Sequence, residues 1–136
     1  MRVNANQLVC LLIESENTVT LADLYPDGID QYEALADVVR SDDFDVPLPI
    51  RWLSWAQLRA LKTRAGDLTA MQAFDKFADV SQRRLVRHYA KQIRKGMLVN
   101  PIVIDGDSVL DGQHRLAAAC MLKKGLPAVD VNDLPA

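Results

Sequence analysis

With 136 residues, 49% of them hydrophobic and 25% charged, and a formal net charge of −2, the chain is the size of one domain and apolar enough to fill a sizeable core. That composition excludes a disordered chain. The apolar run Leu8 to Ile13 is too short for a membrane span and has no small-residue cleavage signal, so a cytoplasmic protein without membrane attachment is expected.

Residues 4–15 read as a helix, with Asn4 as N-cap, Gln7 three positions on, and Leu8, Leu11 and Leu12 on one face. Thr18 to Leu24 is ambiguous between helix and strand. Tyr25-Pro26-Asp27-Gly28 is a turn, and Ile29, Tyr32, Leu35, Ala36 and Val39 recur at helical spacing. Asp42-Asp43-Phe44-Asp45 with Pro47 and Pro49 reads as a linker. Leu48 to Leu53 is expected to form the first strand, and Ser54 to cap a helix over 55–65 that stops at Gly66. Asp67 is a candidate cap for a further helix carrying Leu68, Met71, Phe74 and Phe77, whose spacing by three places them on one apolar stripe.

The clearest amphipathic helix spans 81–95, with Leu85, Val86, Tyr89, Ala90 and Ile93 inward and Gly96 as terminator. Its other side carries Arg83, Arg84, Arg87, His88, Lys91, Arg94 and Lys95. Charge is unevenly spread along the chain. Residues 1–50 hold two basic against ten acidic side chains, whereas residues 51–95 hold eleven against three. Either the two parts face each other, the reading favoured by charge alone, or the basic helix faces a polyanion, with Arg83, Arg84, Arg87 and Lys91 as the nucleic-acid-binding candidates. Val99 to Ile104 and Ser108 to Leu110 then read as a hairpin turning at Asp105-Gly106-Asp107, and Leu126 to Val131 as a last strand. Cys10 and Cys120 stand singly in apolar helical patterns, without metal-ligand spacing, and read as buried packing residues.

The stretch with chemical content is Val109-Leu110-Asp111-Gly112-Gln113-His114-Arg115, leading into an Ala-rich helix. A strand, a glycine hinge and a helix start leave the first helical amides without intrahelical partners and partly positive, so they suit an anion. Gly112 would let a ligand approach the backbone, and Arg115 and His114 would add donors to phosphate oxygens. The plainer alternative stands beside it: Asp111 as an N-cap, Gly112 as a steric necessity, and His114-Arg115 as a solvated first turn.

Gly96-Met97-Leu98-Val99-Asn100-Pro101-Ile102-Val103-Ile104, the hairpin after it, and Asp111-Gly112-Gln113-His114-Arg115 before the Ala-rich helix resemble the ParB N-terminal domain and sulfiredoxin superfamily. The box is also similar to the one that names the DGQHR-domain proteins, some of them linked to DNA phosphorothioation. The likeness covers residues 80–134 well, 48–58 loosely and the first 45 residues not at all. It implies an α+β fold, a small mixed sheet packed with helices, with residues 47–136 as the ParB/sulfiredoxin-like part and residues 1–46 as a helical N-terminal extension of the same compact unit. It further implies a nucleoside triphosphate, ATP or CTP with Mg²⁺, at Asp111, Gly112, Gln113, His114 and Arg115, with Asn100 contributing from the neighbouring strand. Sulfiredoxin has its catalytic Cys where Gln113 stands, which argues against sulfinic-acid repair. Two function classes follow: a nucleotide-dependent switch, nucleoside triphosphatase or phosphotransferase acting in DNA-related processes, or a non-enzymatic regulator that keeps the fold and binds DNA or a protein. No catalytic base is marked, no protein metal site is expected, and a homodimer is compatible with either class.

Overall fold

The computed structural model describes residues 17–97 and 99–135; the helix expected over 4–15, with Cys10, lies outside them. The chain is α+β. It opens with a short strand β1 (Thr18–Val19), a one-turn helix α1 (Leu21–Leu24) and a helix α2 (Glu33–Val38). β2 (Leu48–Pro49) pairs antiparallel with β1, and β3 (Arg51–Leu53) follows after a break at Ile50. The single strand expected over 48–53 is therefore split between two sheets. Ile50 donates its amide to Asn17 O at 3.1 Å as the chain passes from one to the other.

Three helices come next: α3 (Trp55–Ala60), α4 (Ala70–Phe77) and α5 (Val80–Arg94). Each starts with a reciprocal cap, Ser54 with Gln57, Thr69 with Gln72 and Asp79 with Gln82, so two first-turn donors are satisfied at each N-terminus. Two expectations change here. α3 ends at Ala60 rather than at residue 65, and the cap of α4 is Thr69 rather than Asp67. Both follow from the use of residues 61–69, where Lys62 donates its amide to Asp107 O at 2.7 Å and accepts from Val109 N at 3.0 Å. The segment thus covers the edge of the hairpin, which is better protected paired than open.

β4 (Ile102–Asp105) and β5 (Ser108–Asp111) form the expected hairpin, α6 (Gln113–Met121) follows at once, and β6 (Leu126–Asp130) closes the sheet. The strand order is β3-β6-β4-β5, with β6 parallel to β4 and the other pairs antiparallel. Successive side chains of these strands point to opposite faces. Ile102, Ile104, Val109, Leu126 and Ala128 pack into one core with α3 to α6, whereas Val103, Leu110 and Val129 pack into a second core with Leu21, Leu24, Leu35 and Leu48. Residues 17–50 therefore form a third layer over the far face of the sheet. That double cover explains why Ile102-Val103-Ile104 is apolar without alternation. The centre of the helical layer is α6, buried continuously from Leu116 to Cys120, and its alanines admit the neighbouring helices closely.

Candidate functional site

The turn from β5 into α6 sits where both cores meet. Gly112 is the N-cap of α6 with φ +106°, a backbone conformation that costs any L side chain energy, and it offers no side chain to cap the helix. The reason for glycine is internal. A Cβ at this position would stand 2.5 Å from Ile102 Cγ2 and 3.1 Å from Arg115 Nη2, so the missing methyl makes room for strand β4. Asp111 is not the cap. It is the last residue of β5, paired with Val103, and its carboxylate goes to Tyr25 and Arg115.

Asp111 Oδ2 accepts the hydroxyl proton of Tyr25 and a longer bond of 3.5 Å from Arg115 Nη2. Arg115 Nη1 donates to the main-chain oxygens of Asn100 at 2.7 Å and Pro101 at 3.1 Å. The guanidinium is only 12% exposed and is held by three protein acceptors. It fastens α6 to the loop before β4, and through Asp111 and Tyr25 the network reaches the N-terminal layer. Burial, and after it the Asp111 charge, hold the proton on Tyr25 far above the usual phenol range. Sequence reasoning missed Tyr25. It lies 86 positions from Asp111 in a turn whose Pro-Asp-Gly pattern accounts for local geometry alone.

Beside this network is a cleft of about 390 Å³ lined by polar groups, within the size range of small-ligand sites. Tyr25, Tyr32, Tyr89, His88, Gln92 and Asn100 line it together with Asp111 and Arg115. The Tyr25 and Tyr32 rings meet edge to face at 5.0 Å, and the His88 and Gln92 Nε2 atoms lie 3.2 Å apart on α5. Asn100 Oδ1 is buried here without a hydrogen-bond partner. Such an acceptor carries a desolvation cost until a donor reaches it.

The residues proposed from sequence as one site are divided between two cavities. Asn100, Asp111 and Arg115 face the cleft, but Gln113 and His114 line a second, mainly apolar cavity of about 340 Å³ with Phe74, Phe77 and Ala78. Burial lowers the His114 pKa below 6.5, against the opposing pull of Asp111. A histidine that is harder to protonate folded than unfolded contributes stability fully above pH 6.5, and this is lost as pH falls toward the lower folded value. Thermal unfolding between pH 7 and pH 5.5 should therefore show a midpoint that falls on the acid side, with His114→Gln flattening that slope; an unchanged slope would place the titration elsewhere.

Arg84, Arg87, His88, Lys91 and Arg94 on α5 and its C-cap Lys95 are all exposed, while Val86, Ala90 and Ile93 are buried as expected and Leu85 is 39% exposed rather than inward. Arg83 turns to α4, with its guanidinium 5.3 Å from the Phe74 ring centre and a bond to Asp75 O at 3.3 Å. Among the described residues no carboxylate of the acidic N-terminal segment forms an ion pair with this helix. Among the described residues that acidic segment's one ion pair to the basic segment is Asp37 with Arg64 at 2.8 Å, and Arg51 pairs instead with Asp133.

Burial raises the Cys120 thiol to about 11, consistent with an inert packing residue. Among the described residues no group of three or more His, Cys, Asp or Glu side chains stands close enough to hold a metal ion. Among the described residues the cleft has a single carboxylate, Asp111, whose Oδ2 already holds Tyr25 and Arg115, so these residues do not fit a protein-held Mg²⁺. No helix among the described residues is long and apolar enough to cross a membrane. No protein-family model matches the chain, and neither a characterised protein nor a solved structure does so.

Proposed function

We propose that the chain is a ParB-like nucleotide- or phosphate-binding domain protein, working as a nucleotide-dependent switch in DNA-related processes. The observation that carries this reading is the buried, partnerless Asn100 Oδ1 in a polar cleft next to the Asp111–Arg115 pair. The likeness of the Asp111 to Arg115 box to ParB and sulfiredoxin-like domains supports it from the sequence side. Hydrolysis or phosphoryl transfer would need a group that positions the nucleophile, and no side chain of the cleft is assigned that role.

The test is thermal unfolding with ATP, CTP and GTP, each with and without Mg²⁺. A nucleotide present at 100 times its Kd should stabilise the fold by about 2.7 kcal/mol. Asn100→Ala should abolish the shift and leave the midpoint of the ligand-free protein unchanged or slightly raised, because its side-chain oxygen has no protein partner to lose. Absence of stabilisation by all three nucleotides overturns the reading. The second reading, a non-enzymatic DNA- or protein-binding accessory module, is favoured by the exposed cations of α5.

A further inference from the structure

We infer that the cleft takes the base of a nucleotide unit within a single nucleic-acid strand, whose phosphates lie along the exposed cations of α5 and not at the N-terminus of α6. The inference rests on the reading of the cleft as a nucleotide site, and it says which part of the nucleotide enters.

Phosphate is the part the cleft suits least. The charge of Arg115 is already opposed by Asp111, its Nη1 is committed to two main-chain oxygens, and the carboxylate itself repels an anion. Two acceptor atoms of its lining residues stand without a donor. Asn100 Oδ1 has no partner, and both bonds to Asp111 fall on Oδ2, leaving Oδ1 to accept. The amino groups of cytosine and adenine are such donors. Tyr32 and Tyr89, both half-buried, also line the cleft, and an aromatic ring is a surface on which any base packs through its π-face.

The phosphates have a place one helical turn away. His88 and Gln92 bring α5 into the cleft wall. Arg84 and Lys91 are four and three residues from His88, and Lys95 is three from Gln92, so all three flank the cleft on the same helix. They are exposed and have no carboxylate partner among the described residues. A pocket for one base beside a cationic track is the arrangement by which proteins hold single strands. A base paired within a duplex would first have to leave its stack.

The experiment is fluorescence anisotropy on the whole chain with labelled strands of about ten nucleotides. The probes are oligo(dC), its RNA counterpart, oligo(dT), an abasic strand of the same length and a duplex, with free CMP and CTP as competitors. Oligo(dC) should bind about tenfold tighter than the abasic strand. It should also exceed oligo(dT), which has no amino group, and the duplex should bind more weakly. The RNA strand tells the two sugars apart. Asn100→Ala should erase the difference between oligo(dC) and the abasic strand and leave the salt dependence intact. Changing Arg84, Lys91 and Lys95 together to Gln should lower the slope of log K against log salt by about two, at roughly 0.7 per phosphate contact. Equal affinity for natural and abasic strands overturns the inference. Free CTP raising the melting temperature while no strand binds overturns it too, yet leaves the nucleotide reading standing. Failure of every strand, together with absence of stabilisation by ATP, CTP and GTP, removes both.

Discussion

Gly112→Ala should unfold at markedly lower urea than the parent, with a loss of about 3 kcal/mol in stability and an unchanged denaturant slope. Two independent costs add at this residue. A methyl-bearing residue held at φ +106° pays about 1–2 kcal/mol in backbone strain. The new Cβ also stands 2.5 Å from Ile102 Cγ2 and 2.9 Å from Ile102 Cβ, in the core under β4, where overpacking costs about 1–3 kcal/mol. Gly96→Ala is the internal control. It has φ +77° but nothing within 4 Å of the place its methyl would take, so it should lose only the strain, about 1 kcal/mol. If Gly112 served only to let a ligand near the backbone, Gly112→Ala would keep the parent stability and lose only binding; that result would reverse the structural reading of the hinge.

The contrast between these two glycines shows what a sequence discloses and what it hides. Both stand beside helix ends, and local pattern marks each as a helix boundary and nothing more about its surroundings. The partner that makes Gly112 intolerant is Ile102, ten residues earlier on the adjacent strand, and no local pattern points to it. The caps were more legible. Ser54 with Gln57 satisfies donors three residues apart, and the period of Val86, Ala90 and Ile93 declared the buried face of α5. The same logic applied to Thr69 with Gln72 would have placed the start of α4, where Asp67 was the expectation. The residues from Asp111 to Arg115 divide between two cavities for a geometric reason. Consecutive residues at a helix start turn to different sides, so Gln113 and His114 face one cavity while Arg115 reaches another. The covering of the sheet's far face by residues 17–50 was beyond local pattern as well, because it depends on Leu21, Leu24 and Leu35 meeting Val103, Leu110 and Val129.

Arg115→Ala should destabilise the ligand-free protein by about 2–4 kcal/mol. An exposed arginine reading an anion would behave oppositely, losing the ligand and keeping its melting temperature. The difference lies in what the guanidinium leaves behind: the main-chain oxygens of Asn100 and Pro101 would lose their donor, and Asp111, 21% exposed, would keep only the Tyr25 hydroxyl. Arg115→Lys should recover little of the loss, since an ammonium cannot reach two carbonyls and a carboxylate with a fixed fork. Tyr25→Phe should be destabilising as well, and the double variant Tyr25→Phe with Arg115→Ala should lose less than the two single losses added, because both bonds converge on Asp111 Oδ2. Strict additivity would show that the two bonds act independently. A parent-like melting temperature for Arg115→Ala would mean that the guanidinium leaves its protein acceptors in solution at little cost, and would return it to the pool of groups available to a phosphate. Loss of nucleotide binding in Arg115→Ala alone is therefore no measure of contact, and the substitution that separates recognition from architecture is the one at Asn100, whose side-chain oxygen holds nothing in the protein.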